Sequence, residues 1–381
     1  MNCNCTIIAV ALVILNLILF TIISFNICWT SVQYMIMKPI YENENLEFND
    51  TIPESCYCEF ESNRYSFCYA PPFDLNLLGQ KFNCTYIEFL DEVDLLTLEN
   101  TIDLANDDLP EAPIITAGSD DHKDETREML YYIRQFWPKH PVIFYDLGLQ
   151  NKTIEEFKTY CNFDVRKFPF EKFPSYVKNL REYRWKPLVI ALAMKDLKSI
   201  WYMDSSIRWL KPQMDRYYDM LRCKRSHNML LTSNFTACNK SDYLLLSSSY
   251  HGIYTATNLK TYEFLPTDFA RIKIPTVIQA GFSLVARTKD AMDTLKWYVL
   301  CALEEECMAP KNSSIPCKFG KDKYQAEPIC HRFDQSVINI ILANKFNFNT
   351  SYYFSQYTKA FGIHRSSNKK FDLKNLTDCE R

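Results

Sequence analysis

From Pro113 to Trp209, short apolar runs alternate with stretches whose apolar residues recur at helical spacing, and few folds accommodate that alternation. Ile114-Ile115-Thr116-Ala117 reads as a strand, Gly118 as a turn, and Ser119 to Asp121 as helix caps. Met129, Leu130, Ile133 and Phe136 then share a helix face, ended by Pro138. Pro141 to Tyr145 is a second strand, running into Asp146 and Gly148, followed by a helix from Thr153 to Tyr160 and a strand from Val165 to Phe168. Trp185 opens another helix, with Pro187 suited to its first turn, and this leads into the apolar strand Ile200 to Met203. Strands and helices in such succession predict an α/β fold with a mainly parallel sheet covered on both faces.

The last of these strands stops abruptly at Asp204-Ser205-Ser206. Open α/β sheets place ligands at the carboxyl ends of their strands, so an acid there is a candidate site residue. A strand-end turn capped by Asp and Ser explains the same residues without a ligand. The second half is more mixed. Asn228 to Thr232 and Tyr243 to Ser247 read as strands around a loop in which Cys223 and Cys238 are plausible partners. Thr276 to Ala286 reads as a strand interrupted at Gly281, and Thr288 caps a helix carrying Met292, Leu295, Val299 and Ala302 on one face. Asp334 to Ala343 is an apolar helix with an acid at its start, which suits the helix dipole.

Glycine is scarce, 7 residues in 381, and neither GxGxxG nor GxxxxGK[ST] occurs, which removes the usual signatures of dinucleotide and P-loop chemistry. A net charge of −3 gives no electrostatic footprint for nucleic acid. Ile7 to Ile27 is almost wholly apolar and the first charged side chain is Lys38, so the chain is expected to begin with a membrane-spanning signal anchor, cleavage of that segment being the alternative. Asn-x-Ser/Thr sites at Asn49, Asn83, Asn151, Asn234, Asn239, Asn312, Asn349 and Asn375 favour a glycosylated compartment. Twelve cysteines beyond the span read as disulfides rather than zinc ligands: there is no CxxC, and Cys330-His331 is a poor metal pattern. The expectation is a single-pass type II membrane glycoprotein of the Golgi or endoplasmic reticulum lumen. Residues 1–6 would be a cytosolic tail, 7–28 the anchor, 29–109 a cysteine-containing stem with Pro71-Pro72, and 371–381 a C-terminal tail.

Four patterns stand in a fixed order: Ile114-Ile-Thr-Ala-Gly118; Trp201-Tyr-Met-Asp-Ser-Ser206; Gln279-Ala-Gly-Phe-Ser283 with Phe333-Asp-Gln-Ser-Val-Ile-Asn339; and Phe361-Gly-Ile-His364. This order resembles the nucleotide-diphospho-sugar transferases of the GT-A fold, glycosyltransferase family 8 above all. It looks closest to a largely nematode-type family of type II membrane proteins with a Tyr-Met-Asp-Ser-Ser-Ile-Arg-Trp-like motif. The resemblance covers roughly residues 110 to 368 and implies, for 110–370, a GT-A-like mixed, mainly parallel central sheet flanked by helices. It also implies transfer of a sugar from a nucleotide-sugar donor, a UDP-sugar, to a glycan or glycoprotein acceptor.

Family 8-like enzymes carry an Asp-x-Asp, an Asn-x-Gly segment, an Asp-Gln pair and a late His. By resemblance Asp204 matches the first acid, Gly281 the glycine, Asp334 and Gln335 the catalytic pair, and His364 the late histidine. Thr116, Ala117, Lys186, Asp204, Ser205, Ser206 and Gly281 would bind the donor, with Mn²⁺ or Mg²⁺ on Asp204, Ser206 and His364. The chemistry asks for such groups, because the diphosphate gathers negative charge as the glycosyl bond breaks. Gly281 would permit close backbone approach, and Asp334 and Gln335 would bind sugar hydroxyls directionally. Asp334 is also the candidate base. Ser206 departs from the pattern, since a neutral hydroxyl stands where the second carboxylate is expected. Arg208 or Lys211 would then supply positive charge. Trp201 and Trp209 read as core packing rather than sugar platforms.

Two further classes remain open. One is a catalytically inactive lumenal binding or scaffold protein on the same fold, favoured by Ser206. The other is a lumenal sulfotransferase, disfavoured because Ile114 to Asp121 lacks a phosphate-loop Lys-Ser/Thr pair.

Overall fold

The structure is a computed structural model in which residues 52–222, 241–365 and 374–377 are described. The apolar segment 7–27, the strand expected at 228–232 and the Cys223/Cys238 pair lie outside these residues. Among the described residues no helix is long and apolar enough to cross a membrane. Pro53–Arg381 forms one compact unit.

A hairpin comes first, β1 (Tyr57–Phe60) against β2 (Asn63–Ser66). The central sheet follows, made of β3 (Ile114–Gly118), β4 (Val142–Asp146), β5 (Phe163–Lys167), β6 (Ser199–Met203), β8 (Tyr243–Gly252) and β9 (Thr276–Ala286) in the order β5-β4-β3-β6-β9-β8. The first four strands pair in parallel, while β9 runs antiparallel to both β6 and β8. The chain therefore builds outward from β3 to β4 and β5, then returns to lay β6 on the other side of β3. That reversal makes the β3/β6 boundary a topological switch point, the place where open α/β sheets leave a crevice. A small second pairing joins β7 (Ile207–Trp209) to β10 (Phe361–Ile363).

Both β3 and β6 are buried along their whole length, so their sequences are mainly apolar rather than alternating, with Thr116 and Ser199 as buried polar members. Alternate residues feed two cores. Ile114, Trp201 and Met203 pack with Met129, Leu130 and Ile133 of the helix Lys123–Phe136. Ile115, Ile200 and Tyr202 pack with the helix Trp185–Met194 and the helices Lys289–Leu303 and Asp334–Lys345. Trp201 and Trp209 are fully buried, ring centroids 5.7 Å apart edge to face, in the core as expected.

Two expectations are refined. β9 runs from Thr276 to Ala286 as one strand, and the irregularity expected at Gly281 takes the form of a register shift against β8 between Leu245↔Ser283 and Ser247↔Gln279. From Pro53 on, the cysteine-containing region, whose four cysteines imply partial folding, belongs to the folded unit. Phe67 and Phe82 are fully buried, Tyr69 meets Trp297 at 5.3 Å, and Arg287 holds Asp94 at 2.7 Å. Disulfides Cys56–Cys68 and Cys58–Cys84 brace it, and Cys301–Cys307 and Cys317–Cys330 brace the other end of the chain.

Candidate functional site

At the switch point β3 ends in Ala117-Gly118 and β6 is followed by Asp204, and both line a cleft of about 1680 Å³. Asp204 is fixed from three sides. Its N–H donates to the Gly281 carbonyl at 2.8 Å, the Tyr202 hydroxyl donates to Oδ1 at 2.8 Å, and Lys186 Nζ lies 3.2 Å from Oδ1. Gly281 is required for this arrangement. A Cβ at that position would stand 2.4 Å from Asp204 Oδ2, so any other residue displaces the carboxylate.

Lys186 sits in the first turn of the helix Trp185–Met194 and is sandwiched between two acids, with Asp334 Oδ2 at 2.7 Å. The Lys186 and Asp334 side chains are only 3% and 7% exposed, whereas Asp204 is 33% exposed. Asp204 is thus the acid that a ligand can reach. Burial alone pulls the Lys186 ammonium down, but Asp204 and Asp334 outweigh it and hold it above the ordinary lysine value. Burial pushes the Asp334 carboxyl up, against the pull of Lys186. Burial and the Asp204 charge keep the Tyr202 hydroxyl protonated as a donor.

Asp334 begins its helix directly after Phe333, whose φ of 45° is strained for a residue with a side chain. Gln335 lines the cleft and donates from Nε2 to Ser249 Oγ at 3.0 Å. Across the cleft, Ser205 Oγ donates to Glu125 Oε2 at 3.3 Å, and the same oxygen lies 3.1 Å from His122 Nδ1. Glu125, with Asp121 and Asp204 adding to it against partial burial, raises the His122 pKa above 6.5.

Ala117, Lys186, Asp204, Ser205, Ser206, Gly281, Asp334 and Gln335 all line this one cleft, although they span more than half of the sequence. Thr116 does not. It is fully buried within β3, and its hydroxyl has no partner, because successive strand side chains point to opposite faces. His364 reaches the site through its backbone: the β7/β10 pairing brings its N–H to the Ser206 carbonyl at 2.7 Å. Its imidazole lies against Gly362, where Nε2 would be 3.2 Å from an added Cβ, and is not part of the cleft wall.

The donor set does not fit a divalent metal. Asp204 is already engaged by an ammonium and a phenol, Ser206 is neutral, and the His364 imidazole is turned aside. Among the described residues, no group of three or more His, Cys, Asp or Glu side chains could hold a metal ion. The cations expected to compensate are also placed elsewhere. Arg208 is fully buried on Glu128 and on the Ser205 and Ile207 carbonyls, so it serves the core. Lys211 is exposed and not part of the cleft wall. The basic residues that do face the cleft include Arg332 and Arg365, each beside a motif read from sequence (Phe333-Asp334-Gln335 and His364), and that adjacency was the available signal.

Residues 55–191 match the family described as Protein of unknown function (DUF1647). No curated protein sequence matches the chain. Solved structures to which it is similar include glycosyltransferases. The galactosyltransferase LgtC, in complex with donor and acceptor sugar analogs, is 13% identical, covering 60% of this chain and 70% of that one at a TM-score of 0.32. Core-mannan synthase A from Aspergillus fumigatus, in its Mn/GDP form, is 11% identical over 55% and 69% of the two chains at 0.34. Mouse xyloside xylosyltransferase 1, in its apo form, is 10% identical over 61% and 81% at 0.33.

Proposed function

We propose that this chain is a glycosyltransferase, moving a sugar from a nucleoside-diphosphate donor, a UDP-sugar, to a glycan or glycoprotein acceptor in the secretory pathway, where its apolar segment 7–27 anchors it in the membrane. One observation carries the reading. Asp204, at the switch point of a mostly parallel sheet, is admitted by Gly281 and linked through Lys186 to Asp334, in a cleft where the ordered sequence motifs converge. In this reading the edge Ala117-Gly118 receives the nucleotide. Asp204, the exposed member of the pair, accepts hydrogen bonds from donor hydroxyls. Lys186 holds Asp204 and Asp334 in fixed relative positions, so that little reorganisation is left for the reacting state. Gln335, oriented by Ser249, offers its amide to the sugar.

The test is thermal shift and transfer with a panel of nucleotide sugars. A UDP-sugar is expected to raise the melting temperature by mass action, and Asp204→Asn to lower turnover at least about tenfold, the loss of one charged hydrogen bond. Absence of any shift across the panel removes the donor assignment. The inactive-scaffold reading has its own support in Ser206 and in the ion pair of Asp204 with Lys186, and donor binding without turnover would select it.

A further inference from the structure

The leaving diphosphate needs positive charge, and the metal ligands expected by resemblance do not assemble. We propose that Arg332 and Arg365 form an anion subsite in this cleft that takes the donor diphosphate without a divalent cation. The identity of the anion rests on the glycosyltransferase reading; the subsite itself does not.

Open hydrogen-bonding capacity is the first argument. Arg64, Arg127, Arg184, Arg208 and Arg287 each grip a carboxylate. Arg332 and Arg365 line the cleft, and among the described residues neither guanidinium forms an ion pair or a hydrogen bond. The Nε of Arg332 is buried with no partner, and a buried donor left unpaired costs more than an exposed one. Asp334 lies near enough to act on Arg332 electrostatically, but its Oδ2 is committed to Lys186 at 2.7 Å.

Placement is the second argument. The N–H of Arg332 is shared between the Ala256 carbonyl and Ser336 Oγ, both at 3.1 Å. Beside it His331 is locked between the Asn258 N–H and the Met308 carbonyl, and Cys330 is tied to Cys317. Arg365 follows His364, whose N–H is bound to Ser206. Two cations are therefore carried into one cleft by independently fixed backbones. They sense each other: burial first, then Arg365, pulls the Arg332 pKa below the ordinary arginine range. An anion between them would turn that repulsion into attraction. Planar guanidinium donors match phosphate oxygens bidentately, which an ammonium does not.

Isothermal titration of the full-length chain with UDP, uridine and inorganic pyrophosphate, in EDTA and again with Mn²⁺, tests the subsite. UDP and pyrophosphate are expected to bind in EDTA. Arg332→Gln and Arg365→Gln should each weaken both by about tenfold, as loss of a charged hydrogen bond implies, while leaving uridine unchanged. UDP binding that requires Mn²⁺, or that Arg365→Gln leaves unmoved, overturns the subsite and leaves the glycosyltransferase reading standing. Arginine-dependent pyrophosphate binding with UDP no tighter than pyrophosphate keeps the subsite and overturns the nucleotide. Binding of neither overturns both. Because Arg365 is exposed, Arg365→Gln decides the matter even where Arg332→Gln fails to fold.

Discussion

Lys186 illustrates how one buried charge can organise a site. Its ammonium is the common partner of Asp204 and Asp334, so Lys186→Met leaves two carboxylates facing each other. A loss of about 3–5 kcal/mol in urea unfolding is expected, partly restored by adding Asp334→Asn. A loss under about 1 kcal/mol would mean that the carboxylates are hydrated without it. Gly281→Ala tests the neighbouring contact. The strand backbone accepts alanine, but its Cβ would meet Asp204 Oδ2 at 2.4 Å, so nucleotide binding should weaken at least about tenfold in a chain that still folds. His122 gives a pH signature. Its pKa is raised above 6.5, first by Glu125, so the stability it adds is whole below pH 6.5 and is lost as pH rises through the raised value. The melting-temperature difference between the parent and His122→Asn should shrink over that range. Asp204, Gly281 and Asp334 were legible because each sits in an ordered motif, whereas Lys186 entered only as a donor-binding residue implied by the resemblance. The roles of Arg332, Arg365 and His122 were not, since they depend on which distant strand lies opposite. Arg208 misled for the same reason, as nothing local announces Glu128 as its partner.

Elements show the same division. β3, β4 and β6 are mainly apolar runs flanked by helices, and sequence places them within a residue or two. β7 and β10 are three residues each, held by a pairing across more than 150 positions, so no local pattern marks them. β8 extends beyond its expected end at Ser247 through Ser248-Ser249 to Gly252, a stretch that carries no apolar run of its own and pairs with β9 at Ser248 and Gly252. The turn before Asp334 hides another feature. His331 is fully buried, accepting from the Asn258 N–H through Nδ1 and donating from Nε2 to the Met308 carbonyl. A second proton on Nδ1 would oppose that N–H, and burial accordingly lowers the pKa from 6.5 to about 4. The stability that neutral His331 contributes is whole above pH 6.5 and is lost as pH falls from there through about 4, worth about 3 kcal/mol in total. Acid unfolding of His331→Gln should lack this component; an unchanged acid limb would show that other groups carry it.

At the scale of the molecule, residues 53–109 matter most to what can be cut away. They supply Phe67, Phe82 and Leu90 to the core beneath the helix Lys289–Leu303, so a chain begun at residue 110 should give no cooperative unfolding transition. Replacing Cys58 and Cys84 with serine should cost about 2–5 kcal/mol. Sequence shows the cysteines but not that their loops enclose core side chains, which is why this region read as a stem. Two further disulfides have a different reach. Cys301–Cys307 and Cys317–Cys330 flank the segments 305–316 and 332–335 that wall the cleft, whereas the strands of the central sheet carry none. Cys301 and Cys307 are fully buried, but Cys317 is only half-buried, so a reductant meets that bond sooner. Under gentle thiol treatment the scaffold and its grip should part company: far-UV dichroism would persist while affinity for a diphosphate fell away, a protein with its shape intact and its hand open.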